Sequence, residues 1–175
     1  SYFGVPQAVD AAGTSWQRVR PGDSLAIDGV VLTFLAPDSA WTASLDDPNS
    51  ASVVVMARFG SVRFLLVGDA ERAEEEWLLG QGADLRADVL KVGHHGSRTS
   101  STDAFLDAVS PRAAIISVGA GNTYGHPSPE VLEALSHRGT DVLRTDLMGS
   151  IMLRTDGRRV RVIMDGGSWD VAPRF

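Results

Sequence analysis

The chain has 175 residues, 43% hydrophobic and 22% charged, enough apolar material for one domain with a sizeable core. Its formal net charge of −6 argues against a surface that is basic throughout. There is no cysteine, which excludes disulfides, thiolate ligands and a thiol nucleophile.

No apolar run approaches the ~18 residues of a membrane span, and no basic signal-peptide start is visible. Ser1, standing where an initiator methionine is missing, points to a chain cut from a longer one.

Residues 1–13 read as weakly helical, with Gly13 as a stop, and residues 16–20 as a strand. Pro21-Gly22-Asp23 is a turn. Residues 24–27 and 30–35 flank Asp28-Gly29, a strong hairpin signal. Residues 37–50 read as polar and irregular, with Trp41 a loop anchor. Residues 52–58 and 61–67 form a second hairpin around Phe59-Gly60 and run into Gly68-Asp69-Ala70.

Residues 71–79 read as a helix, on which Glu74, Glu75 and Glu76 are expected to form a solvated face. Val89, Leu90 and Val92 form a buried strand ended by Gly93. His94 and His95 follow, on a backbone expected to be extended, so that the two side chains point in opposite directions. Residues 101–109 read as a helix capped by Ser101, and residues 113–118 as another buried strand. Ser128-Pro129-Glu130 opens a helix through Leu135. Residues 141–144, 150–154 and 159–164 are closing strands, the last two joined at Asp156-Gly157, and nothing is read from Trp169 onward. The order is that of one α/β or mixed α+β domain, with a sheet covered by helices.

Three places share one setting. Asp69, the His94-His95 pair and His126 each follow an apolar strand and stand beside or near glycine. One carboxylate with imidazoles and no thiolate suits Zn²⁺ or Mn²⁺. Each has a plainer reading: Asp69 as a helix cap, the histidine pair as a polar loop, His126 as a turn residue before Pro127. Tyr124 reads equally as core or as a substrate contact, and His137 as a surface residue. A Ser97–His94–Asp69 triad lacks the Gly-x-Ser-x-Gly elbow, and there is no phosphate-binding glycine fingerprint.

Four motifs stand in order: Leu65-Leu66-Val67-Gly68-Asp69-Ala70-Glu71; Asp88 to Ser97 with its Gly-His-His-Gly; Ser117 to Pro127 with Asn-Thr-Tyr-Gly-His-Pro; and Arg144-Thr145-Asp146 with Gly149-Ser150-Ile151. The set resembles the metallo-β-lactamase-type domain at the C-terminus of the ComEC family of DNA-internalisation competence proteins. The Pro21-Gly22-Asp23 turn and the Pro48-Asn49-Ser50 loop fit the same pattern.

The resemblance implies an αββα sandwich and a metal-dependent phosphodiesterase site, with two Zn or Mn ions in the intact domain and no small organic cofactor. It implies a nuclease acting on single-stranded DNA during uptake. The parent would be a bacterial inner-membrane protein with a membrane channel, and the domain would be soluble on its extracytoplasmic side. Asp69, His94 and His95 would hold metal, with His95 favoured over His94. His126 and Tyr124 would act on substrate, and Ser97 and Asn122 would contact it. Asn49 and Ser50 stand where many relatives carry a further ligand histidine. The family's His-x-His-x-Asp-His motif is absent, since the first histidine here is His94. The expectation is therefore the C-terminal part of the domain, poor in metal binding and catalysis alone, with an apolar sheet face uncovered. Two alternatives stay open: a related metallo-hydrolase such as a phosphorylcholine esterase, and a non-catalytic module that guides DNA.

Overall fold

Seven short, largely apolar runs build a seven-stranded sheet. The computed structural model describes residues 8–9, 11–13, 18–43, 45 and 51–171. Trp16 and the Pro48-Asn49-Ser50 loop lie outside them, as does the start of the expected N-terminal helix.

The strands are β1 (Ser24–Ile27), β2 (Val30–Ala36), β3 (Val54–Phe59), β4 (Val62–Leu66), β5 (Val89–Lys91), β6 (Ala113–Ile116) and β7 (Asp141–Arg144). They lie side by side in chain order. β1 to β4 pair antiparallel through hairpins. β4 to β7 pair parallel. The β1–β2 turn has positive φ at both Asp28 and Gly29, 47° and 85°, the geometry that two-residue hairpins favour. Parallel neighbours need crossovers. These carry α2 (Arg72–Gly80), α3 (Asp103–Val109) and α4 (Pro129–His137). Two one-turn helices, α1 (Ser39–Thr42) and α5 (Thr145–Met148), sit in the connections. A second, antiparallel sheet follows in the order β10 (Gly167–Val171), β9 (Val160–Met164), β8 (Ile151–Thr155).

The large sheet has two apolar faces. Leu65, Leu90, Ala114 and Ile116 pack with Leu78, Phe105, Leu106 and Leu135 from the helices. Val62, Val89, Ala113 and Leu143 pack with Val160, Val162 and Val171 from the small sheet. The mixed α/β architecture matches the expected class.

Several local expectations are corrected. Residues 18–20 carry no strand. α3 begins at Asp103 after Thr102, and Ser101 caps nothing; its φ is +59°. Trp41 lies on α1 and stacks on Trp77 with centroids 5.2 Å apart. The tail from Trp169, left unread in the sequence, forms most of β10, which pairs with β9 through a turn at Asp165-Gly166. Ser128 does cap α4, its hydroxyl accepting from Val131 N.

Candidate metal edge

The loops that follow β4, β5 and β6 meet at the C-terminal edge of the parallel strands, where layered α/β sheets place their ligands. Two glycines let them meet. A Cβ on Gly93 would stand 2.6 Å from the Ala70 carbonyl oxygen, and one on Gly96 2.6 Å from Pro127 Cβ. Only a residue without a side chain lets the histidine turn sit against both the Asp69 loop and the His126 loop.

The histidine pair departs from the expected extended backbone. His94 and His95 lie in a tight turn over Gly93–Gly96 with φ of 42° and 56°. The left-handed region suits few residues, histidine among the more tolerant. The turn brings the two rings to 6.3 Å instead of turning them to opposite sides.

Their partners divide their roles. His95 Nδ1 is 2.6 Å from the Ser117 carbonyl. A carbonyl only accepts, so Nδ1 carries the proton and Nε2 presents a lone pair. That Nε2 is 3.6 Å from Asp69 Oδ1. His94 Nδ1 is 2.5 Å from Glu71 Oε1, which also accepts from Thr99 Oγ1 at 2.8 Å. The His94 ring stands 5.8 Å from that of His126.

Asp69 is held from behind: its N–H donates to Ser52 Oγ at 3.1 Å. Lys91 donates to the Gly68 carbonyl at 2.9 Å and lies 3.9 Å from Asp69 Oδ1. Burial pushes the Lys91 ammonium down in pKa, and the Asp69 charge opposes it. His126 is lowered too, by burial first and then by His94 and His95. The site thus disfavours added positive charge on His126.

The remaining expected residues lie at or near this edge. Asn122 braces the His126 loop, its Nδ2 donating to the His126 carbonyl at 2.7 Å and its Oδ1 accepting from His126 N. Tyr124 is 82% exposed, not core, with its ring stacked 6.1 Å from that of His126. Ser97 is buried and its hydroxyl pairs with Thr99 Oγ1. With His94 Nδ1 on Glu71, no Ser97–His94–Asp69 triad forms. His137 is exposed beside Glu133, as expected.

The expected solvated face on α2 is the main correction. Glu76 is exposed, but Glu74 and Glu75 are each 0% exposed. Glu74 accepts from Ser52 N, so it holds the residue that holds Asp69. Glu75 accepts from Ser101 N and Thr102 N at 2.5 and 2.8 Å, and so anchors the loop after the histidines. Burial raises both carboxyls, Glu74 to about 8. Among the described residues the Glu74 Oε1 has no hydrogen-bond partner, which suits a neutral acid. Helical spacing was the overlooked signal: Glu74 and Glu75 stand four and three residues before Leu78, on its buried face. Glu71 and Lys91 had no comparable signal.

Asp69 Oδ1 and His95 Nε2 form a hard-to-borderline carboxylate–imidazole donor pair 3.6 Å apart. Among the described residues no three carboxylates or imidazoles are grouped to hold an ion. Catalytic zinc sites normally keep three protein ligands. The pair fits one side of a divalent-metal site and does not complete it.

The pattern of the metallo-beta-lactamase superfamily matches residues 22–120, more than half of the chain, including Asp69 and both paired histidines. The chain is 37% identical to ComE operon protein 3 of Bacillus subtilis (strain 168) over 154 residues, 88% of this chain and 20% of that protein. It is 42% identical to competence protein ComA of Neisseria gonorrhoeae over 71% of this chain and 18% of that one. It is 36% identical to Recombination protein 2 of Haemophilus influenzae over 70% of this chain and 15% of that one. The chain thus spans a fifth or less of the length of these relatives. By fold and by sequence, this chain belongs to the metallo-beta-lactamase superfamily.

Proposed function

We propose that this chain is the C-terminal part of a metal-dependent phosphodiesterase domain that cuts DNA during competence-linked uptake. The observation that carries the reading is the Asp69–His95 pair, two deprotonated-type donors 3.6 Å apart at a sheet edge, close to the His94–His126 ring pair. Asp69 and His95 would hold a divalent ion, Zn or Mn, with further ligands from residues N-terminal to those described. Such an ion, when bound, supplies charge neutralisation on the phosphate and lowers the pKa of water.

The chain's own residues do the rest. Ser117 fixes the His95 tautomer. Glu71 holds His94, the less suited of the pair for ligation. His126, whose pKa is lowered by burial and by its histidine neighbours, would meet substrate as a proton donor or acceptor beside the leaving oxygen. Tyr124 offers an exposed ring beside it for substrate. Asn122 sets the loop that carries both, and Ser97 shapes the histidine turn beneath.

The uncovered sheet face supports the partial-domain reading. On the side that faces β8–β10, Leu25, Ile27 and Leu66 are 48%, 52% and 43% exposed. An upstream half-sandwich would cover them. Among the described residues no helix is long and apolar enough to cross a membrane. The name of one relative, competence protein ComA, supports a competence-related parent; on this reading the domain would be joined to a membrane channel and would face the side where DNA arrives.

The test is metal content against rate, in a longer protein that includes the upstream residues. Asp69→Ala should lose metal and turnover. His126→Ala should keep metal and slow the reaction on the order of 10²-fold or more. His137→Ala should change neither. Full activity in Asp69→Ala would end the metallohydrolase reading. In this chain alone, calorimetry should find Zn²⁺ or Mn²⁺ bound weakly or not at all. The missing third ligand among the described residues also favours a second reading for the isolated chain, a non-catalytic module. Cleavage of phosphorylcholine esters with DNA left intact would instead favour the esterase alternative.

A further inference from the structure

The small sheet carries a charge pattern that the metal edge does not use. Arg154, Arg158, Arg159 and Arg161 fall within eight residues of a chain whose net charge is −6. All four are exposed. The β8–β9 register sets Arg154 directly opposite Arg161. Like charges directly opposite one another destabilise an antiparallel pair. Stability alone gives no reason to keep that pair.

Two carboxylates lie among the arginines, and both are occupied. Asp170 stands opposite Arg161 on β10 and takes a forked ion pair from it at 2.7 and 3.2 Å. Asp156 Oδ1 accepts from Arg158 N and Arg159 N, both at 2.9 Å, and so shapes the β8–β9 turn. Arg154, Arg158 and Arg159 make no ion pair among the described residues. Arg154, Arg159 and Arg161 line one shallow depression of about 550 Å³, together with the occupied carboxylates Asp156 and Asp170 and with Ile163 and Ser168. Met152, opposite Ile163 and 50% exposed, extends an apolar strip beside the charges.

A row of cations answers a row of anions better than a single one. Arg159 and Arg161 are two residues apart, about 6.6–6.8 Å along an extended strand. Arginine forks suit phosphate oxygens, and the neighbouring apolar strip suits sugar and base faces. We propose that the outer face of β8–β10 binds the phosphate backbone of a nucleic-acid strand. Gly157 packs on Gly60, at the end of β4 opposite to Asp69, so this surface is separate from the metal edge. The inference rests on the reading that the domain handles DNA, and it assigns a guiding surface to a chain whose metal site is incomplete.

The experiment is fluorescence anisotropy of a labelled single-stranded oligodeoxynucleotide with this chain, in EDTA and over a salt series. EDTA removes any metal-bridged phosphate, so the outcome is independent of hydrolysis. The double variant Arg154→Ala/Arg159→Ala should weaken binding and flatten the log–log salt slope by roughly 1.4, two phosphate contacts at about 0.7 each. The control Arg20→Ala/Arg86→Ala removes the same charge elsewhere and should leave the slope unchanged. Thermal melting should show no loss in the first double, because it relieves a like-charge pair. No binding by the unaltered chain would overturn the proposal, as would equal losses in the two doubles. Binding to anionic phospholipid vesicles but not to DNA, lost in the same double, would overturn it in favour of a membrane. An Asp69→Ala variant that binds DNA but does not cut it, in the longer protein, would uphold this surface and the nuclease reading separately.

Discussion

The two halves of the large sheet are built from the same kind of sequence and end in different surroundings. In the parallel half, β4 to β7, both faces are covered along the central strands β5 and β6: Leu90, Ala113, Ala114 and Ile116 are each 0% exposed. In the antiparallel half, β2 averages only partial burial along its whole length before Ala36, and β1 is exposed throughout. Both halves alternate apolar residues to both faces. The difference lies in what the chain supplies as cover. The helices close one face and β8–β10 close the other, and the buried residues that the small sheet packs against, Val62, Val89, Ala113 and Leu143, lie on β4 to β7. The candidate metal edge also belongs to the parallel half, whose central strands are packed on both faces.

The comparison breaks first in the centre of the parallel half. Leu90→Ala removes a side chain from the middle of the helix-facing core. It should cost about 2–5 kcal/mol, the range for a buried leucine that cannot collapse its cavity. Urea unfolding of this chain measures it. A loss below about 1 kcal/mol would mean that the core is loosely packed and that the halves do not differ as described.

Much of this contrast was readable in the sequence. The hairpins at Asp28-Gly29 and Phe59-Gly60 and the order of strand and helix were signalled by local chemistry, since turns and alternation depend on near neighbours. The setting of Asp69, His95 and His126 after apolar strands was readable for the same reason. The histidine turn was not, because its left-handed backbone is imposed by tertiary contacts at Gly93 and Gly96. The burial of Glu74 and Glu75 was hidden by composition: acidic residues opening a helix have a plain surface explanation. β10 was missed because Gly167–Val171 is short and half polar and forms only by pairing with β9.

The buried acids sharpen the comparison in a second way, through pH. Glu74 keeps its proton in the folded chain up to about 8, against an ordinary value of 4.5. Burial is the main cause, opposed by the Ser52 N–H and reinforced by Glu75. Between those values the folded state holds more protons than the unfolded one. Stability is therefore fullest below the ordinary value and falls as pH rises toward about 8. One such group gives a slope of at most about 1.4 kcal/mol per pH unit. Urea midpoints at acidic, neutral and mildly alkaline pH should decline in that order. Glu74→Gln, neutral at every pH, should remove much of the slope. An unchanged slope in that variant would mean that Glu74 is ionised in the fold, with its orphan oxygen reached by water.

The smallest effect tests the open half directly. Leu25 and Ile27 point to the same side of β1, and their cross-strand partners Leu32 and Val30 continue that apolar surface. Both are about half exposed in this chain. Replacing exposed side chains without special contacts changes stability by about 0.5 kcal/mol or less. Leu25→Lys/Ile27→Lys should therefore be nearly neutral here by urea unfolding, and should improve solubility by breaking an apolar patch. In a longer protein carrying the upstream residues the same pair should be strongly destabilising, because two ammonium groups would be buried without partners. The contrast between the two measurements is the content of the prediction. A large loss in this chain alone would show that the face is already covered. Neutrality in both settings would show that the upstream residues pack elsewhere, and the open half of the sheet would then be a true outer surface of the protein.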